Sequence, residues 1–207
     1  MTAKQHIRRL AAWSIVIAFG VMGLKFVAWW VTGSVALYSD ALESIVNVIA
    51  AFAALWAISV SHKPADRDHQ YGHHKAEYFS AVLEGVLIVV AALLIMSEVW
   101  KSWQNPVPMD QPWQGLAING VAAAINAIWA LLLIRAGRAQ KSPALEADGH
   151  HVMTDVVTSV GVIAGLVASV LTGWQFLDPL LALVVALNIL WQGWKVITAS
   201  LGGLMDR

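Results

Sequence analysis

The stretch Asp148-Gly149-His150-His151-Val152-Met153-Thr154-Asp155 lies inside an otherwise apolar, helix-like run from Pro143 to Leu171, and the fold turns on how it is read. In a helix of about 3.6 residues per turn, four-residue spacing puts His151 and Asp155 within about 40° of each other, on one face. An imidazole and a carboxylate at membrane depth cost several kcal/mol unless something satisfies them. One such pair is explained as a hydrogen-bonded tie between helices. The chain carries a second copy, Asp40-Ala41-Leu42-Glu43-Ser44-Ile45-Val46-Asn47, in which an Asp is again followed by two residues, a potential ligand, three residues and a potential ligand. Two matching half-sites on two apolar helices predict a bundle built to bring them together.

The composition agrees. Of 207 residues, 58% are hydrophobic and 13% charged, about half the charged share of soluble domains, which is the balance of an integral membrane protein. Zero formal net charge offers no footprint for nucleic acid. The absence of cysteine excludes disulfides and thiolate metal sites. Lys4, Arg8 and Arg9 precede an apolar run of more than about 20 residues, too long for the apolar region of a signal peptide, so it reads as a retained first span.

Six segments reach the roughly 20 residues needed to cross a ~30 Å hydrocarbon layer. They lie near 8–31, 36–60, 78–101, 113–136, 144–171 and 177–201. Ser142-Pro143 and Asp178-Pro179 read as helix starts. With the N-terminus cytoplasmic, that side holds Lys4, Arg8, Arg9, Lys63, Arg67, Lys75, Arg135, Arg138, Lys141 and Arg207, whereas the other side holds Lys101 alone. Lys25 and Lys195 fall within spans. The asymmetry puts both termini inside, and Trp29, Trp30, Trp100, Trp103, Trp113 and Trp174 at the outer interface agree with that orientation. The expected fold is therefore an all-α integral membrane bundle of six transmembrane helices, a single domain over residues 1–207 with no C-terminal cytoplasmic domain.

The second and fifth helices run in opposite directions, so Glu43, Asn47, His151 and Asp155 fall at comparable depth near the midplane. Two carboxylates, an imidazole and an amide oxygen suit a tetrahedral divalent ion, and the two carboxylates cancel its charge. Nitrogen and oxygen donors without sulfur favour Zn²⁺, Fe²⁺, Co²⁺ or Mn²⁺ over Cu⁺. His150 is turned roughly 140° from Asp155 around the helix, so His151 is the expected ligand. Glu84, in the third span, is read as either a buried helix tie or part of a proton path, and Glu98 as interfacial. Asp40 and Asp148 each precede the first ligand of a half-site by one turn, which places them as gates or relays on the outer and inner approaches; the bland alternative is a carboxylate favoured near a helix start.

Several motifs together resemble the cation diffusion facilitator family: Gly33-Ser34-Val35-Ala36-Leu37 leading to Asp40-Ala41, Tyr71-Gly72-His73-His74-Lys75-Ala76-Glu77, His151 with Asp155-Val156, and Asp178-Pro179. The similarity runs through all six spans in order. It implies a metal-ion/proton antiporter, often zinc-exporting and usually homodimeric, with the metal site between helices two and five. Family members commonly carry His or Asp, then Asp, where this chain has Glu43 and Asn47. The resemblance also implies a charge pair between Lys75 and Asp206 at the cytoplasmic surface, and most members carry a cytoplasmic domain after the sixth helix.

In the cytoplasmic loop, Asp66, His69 and His73 are spaced as Asp-x2-His-x3-His, either a solvated polar loop or a weak, exposed secondary metal site. The expected function is export of Zn²⁺ or a similar ion from the cytoplasm by alternating access, with the metal as substrate rather than cofactor. Fe²⁺, Mn²⁺, Co²⁺ and Cd²⁺ are the alternative cargoes. Partners are membrane lipids, protons and a second copy of the chain, and the expected location is a bacterial inner membrane. Two other classes remain: an intramembrane metalloenzyme, in which a metal with an open position activates water, and a receptor-like bundle whose polar residues only hold helices together.

Overall fold

Among the described residues, Pro108 precedes a helix and Pro112, Pro143 and Pro179 lie within the first turn of one, so none of these four interrupts an apolar run. The computed structural model describes residues 3–61, 75–105, 108–139 and 143–204. Six helices fill it: α1 Ala3–Thr32, α2 Val35–Ser61, α3 Lys75–Gln104, α4 Pro112–Ala139, α5 Pro143–Thr172 and α6 Leu177–Leu204. Each covers one expected span and extends it by at most five residues at either end, because the polar flanks continue the backbone ladder beyond the apolar core. Among the described residues, five helices contain a stretch long and apolar enough to cross a membrane. The sixth, α2, is 27 residues long; at about 1.5 Å per residue that is also enough. The chain is a membrane bundle of helices.

The α1–α2 turn shows how local chemistry sets the geometry. Gly33 adopts φ +66° and closes α1 by donating its N–H to the Trp29 carbonyl at 2.7 Å, a left-handed cap that favours glycine. Ser34 then caps α2 by accepting from the Leu37 N–H at 3.1 Å. The remaining orphan donors of α2 go elsewhere. Val35 N–H and Ala36 N–H donate to the Asp178 carboxylate at 2.9 and 3.0 Å, and the Ser34 hydroxyl donates to it at 2.7 Å. The helix start expected at Asp178-Pro179 is found, with α6 beginning at Leu177 and Asp178 in its first turn. The buried carboxylate of Asp178 is nevertheless spent on capping α2 across the bundle.

In the packing, α3 lies chiefly against α6 and α4 against α5, while α2 touches α1, α3, α5 and α6. Leu37, Ile95, Val162, Leu166 and Ile189 pack with a series of small residues, Ala28, Ala36, Ala92, Ala182 and Ala186, in one core. Small side chains let helices approach closely where lipid removes the usual hydrophobic drive. Trp30, Trp100, Trp103, Trp113 and Trp174 are exposed at the end that carries the α1–α2 turn, the belt expected of an interface. Trp29 instead turns inward onto Tyr38, with ring centroids 5.0 Å apart.

Candidate functional site

The polar residues of α1, α2, α4 and α5 form layers along the bundle. The layer nearest the α1–α2 turn is centred on Asp40. Lys25 Nζ lies 2.7 Å from its Oδ1, Asn119 Nδ2 donates to Oδ2 at 3.1 Å, and the Ser159 hydroxyl sits 3.0 and 3.1 Å from the two oxygens. All four residues are buried. An ammonium and a carboxylate so far from water persist only because each is the other's counter-charge and further donors satisfy the remaining lone pairs. Asp40 was expected at an outer approach; it is 1% exposed and ion-paired.

One turn deeper lie the half-sites. Asn47 Nδ2 donates to Asp155 Oδ2 at 2.8 Å, joining α2 to α5. That bond uses the amide nitrogen and one carboxylate oxygen, and the other oxygen of each residue takes no part in it. Glu43 lies within electrostatic reach of Asp155, Lys25 and Asp40. Its Oε2 is buried without a hydrogen-bond partner, and an orphaned buried acceptor is costly unless a proton or cation reaches it.

The third layer lies toward the other end. His151 is exposed and within electrostatic reach of Asp155, Asp148 and, across the bundle, Glu84 of α3. Asp148 accepts from the Ser14 hydroxyl at 2.9 Å, and Ser14 accepts from the Trp129 indole at 2.9 Å, so α1, α4 and α5 are linked there. His150 is exposed as well.

Of the four expected ligands, then, Asn47 and Asp155 are in direct contact, Glu43 is close to Asp155 in the electrostatic sense, and His151 stands one turn away along α5. Among the described residues, no three His, Asp or Glu side chains converge as a ready cage. Glu98 pairs with Lys101 at 3.0 Å on the exposed surface, as an interfacial residue should. Asp66, His69 and His73, and with Asp206 the pair to Lys75, lie outside the described residues. Sequence reading missed Lys25, Asn119 and Ser159 as one network. A signal for Lys25 existed: it stands eight residues before Gly33 and Asp40 seven after it, so a tight helical hairpin sets them at one depth.

Residues 11–205 match the family model for the cation efflux transmembrane domain. The chain belongs to the cation efflux family. This is the family that the sequence motifs resemble, and it is one of transporters, which displaces the metalloenzyme reading. Among relatives, an uncharacterized transporter of Synechocystis sp. is 47% identical over 207 residues, covering 100% of this chain and 66% of that protein. The cation-efflux pump FieF of Shewanella oneidensis is 30% identical over 194 residues, 94% of this chain and 65% of its own length. FieF of Salmonella arizonae is 28% identical over 206 residues, covering 68% of that protein. The chain spans about two thirds of the length of these relatives.

Proposed function

We propose that this cation efflux family member carries a divalent metal ion out of the cytoplasm in exchange for protons, through one site formed by Glu43, Asn47, His151 and Asp155. The observation that carries the reading is charge. Lys25 cancels Asp40, and Glu43 and Asp155 then remain as two carboxylates in a low-dielectric layer, one with an orphaned oxygen. A divalent cation neutralises such a pair. Without it, protons must do so, because two unscreened buried charges of like sign are expensive. Metal binding requires deprotonated carboxylates and a neutral imidazole, so the ion and the protons exclude each other at the same atoms. Exchange follows when that one site faces each side in turn.

Entry is assigned to the end where His151 is exposed. His151 meets the ion first there, and Asp148, held by Ser14, stands one turn nearer to the water. For the metal to be gripped by all four residues, the Asn47–Asp155 hydrogen bond opens and the amide oxygen turns toward the ion. Nitrogen and oxygen donors in fourfold number favour Zn²⁺, ahead of Fe²⁺, Mn²⁺, Co²⁺ and Cd²⁺. On this reading the protein works as a homodimer; its place is a bacterial plasma membrane, and the bacterial origin of its relatives supports that location. The test is uptake of Zn²⁺ into proteoliposomes, with the other four ions as competitors. Flux lost in both His151→Ala and Asp155→Ala supports the site, and wild-type rates in both refute it.

A further inference from the structure

We infer that Lys25 is a tethered counter-cation that fixes the charge of the metal site, and thereby suits it to a divalent ion; the inference rests on the transport reading above. Lys25 is 2% exposed and Asp40 1%, and their charged atoms are 2.7 Å apart. A lysine merely passing through a span would extend its chain to the interface. This one is held inside by Asp40, and Asn119 and Ser159 complete the carboxylate's hydrogen bonds. Asp40 stands one turn from Glu43 on α2, and Ser159 one turn from Asp155 on α5, so the ion pair adjoins both charged ligands. Lys25 is within electrostatic reach of Asp155 and Glu43 as well as Asp40.

Three carboxylates and one ammonium leave two negative charges. Without Lys25 there are three, and with Asp40 neutralised and Lys25 kept there is one. The ammonium also has a second use for its position. If Asp40 loses its charge, the nearest anions left to Lys25 are Glu43 and Asp155, where it competes with the cargo for the same oxygens. Lys25 is thus a positioning residue whose influence on the metal runs through charge, in contrast to a hydrogen-bonded strut between α1 and α2.

Charge and strut are separated by a pair of variants of the purified full chain, titrated with Zn²⁺ by calorimetry. Asp40→Asn keeps the side chain's shape and frees the ammonium; it should weaken Zn²⁺ binding by more than about tenfold. Lys25→Met/Asp40→Asn removes both charges and should return the affinity to within about threefold of wild type, although it retains even less of the network. Asp40→Ser replaces Asp40→Asn should the latter fail to fold. Thermal unfolding is followed alongside, and affinity should recover in the double variant whether or not stability does. A double variant that binds no better than Asp40→Asn overturns the inference while leaving the transport site intact. Wild type that binds no Zn²⁺, or that binds it equally well as His151→Ala/Asp155→Ala, removes the transport reading and this inference with it.

Discussion

Asn47 on α2 donates its amide hydrogen to Oδ2 of Asp155 on α5 at 2.8 Å. The two helices otherwise pack mainly on different partners, α2 on α3 and α5 on α4. This bond is therefore where the halves of the bundle meet at the depth of the half-sites. On the proposed transport reading, it is also the bond that an arriving cation displaces.

Replacing that amide with a carboxylate is informative. Asn47→Asp sets two carboxylates side by side, which cannot both be ionised without a proton or cation between them. We expect Zn²⁺ to bind more tightly than in wild type at pH 8, by about tenfold or more, and to lose that advantage by pH 6. Calorimetric titration at the two pH values checks it. Equal affinities for both proteins at both pH values would mean that Asn47 does not face the ion.

The pH response of the wild-type protein follows from the same competition. Each proton that the metal must displace weakens apparent affinity by about tenfold per pH unit once the ligand is mostly protonated. The sign is fixed: binding weakens as pH falls. Measured Zn²⁺ affinity that is flat between pH 8 and pH 5.5 contradicts a site made of Glu43, His151 and Asp155.

Asp178 is tested through stability. Its carboxylate receives the Val35 and Ala36 N–H groups and the Ser34 hydroxyl. Asp178→Ala strands those donors in a buried turn and should cost about 2–4 kcal/mol, whereas Ser34→Ala should cost about 1 kcal/mol. Thermal unfolding in detergent, followed by helical circular dichroism, should rank them in that order. Equal, small losses would show that water replaces the cap.

Gly149 precedes the two histidines at a close crossing. A Cβ there would meet Ile134 Cγ1 at 2.7 Å and the Ala130 carbonyl oxygen at 3.0 Å. Gly149→Ala should therefore push α5 from α4, costing about 1–3 kcal/mol, and should shift His151. Reduced melting temperature together with weaker Zn²⁺ binding is expected; an unchanged protein would show that the crossing relaxes freely.

What the sequence makes legible here is what helical periodicity encodes. Four-residue spacing places His151 over Asp155 and Glu43 over Asn47 without reference to any other helix, and the uninterrupted apolar runs give six helices almost to their ends. Pairings across helices are another matter. Asp178 stands in the right place to start α6, and only the docking of α6 beside the α1–α2 turn reveals that it serves α2. Asp40 looks like an open carboxylate on an approach until α1 is laid against α2 and Lys25 arrives beside it. The contact between Asn47 and Asp155 was inferable as a shared depth, while its form, an amide donating to a carboxylate, depends on how α2 and α5 are rotated.

Proteoliposomes loaded with a pH-sensitive dye and a Zn²⁺ indicator report both ions at once, and they test antiport through this site most directly. The account predicts that inward Zn²⁺ movement raises internal pH as protons leave, that an imposed proton gradient drives Zn²⁺ in the opposite direction, and that both signals vanish together in Asp155→Ala. Zn²⁺ flux that leaves internal pH unchanged and ignores the imposed gradient would contradict it.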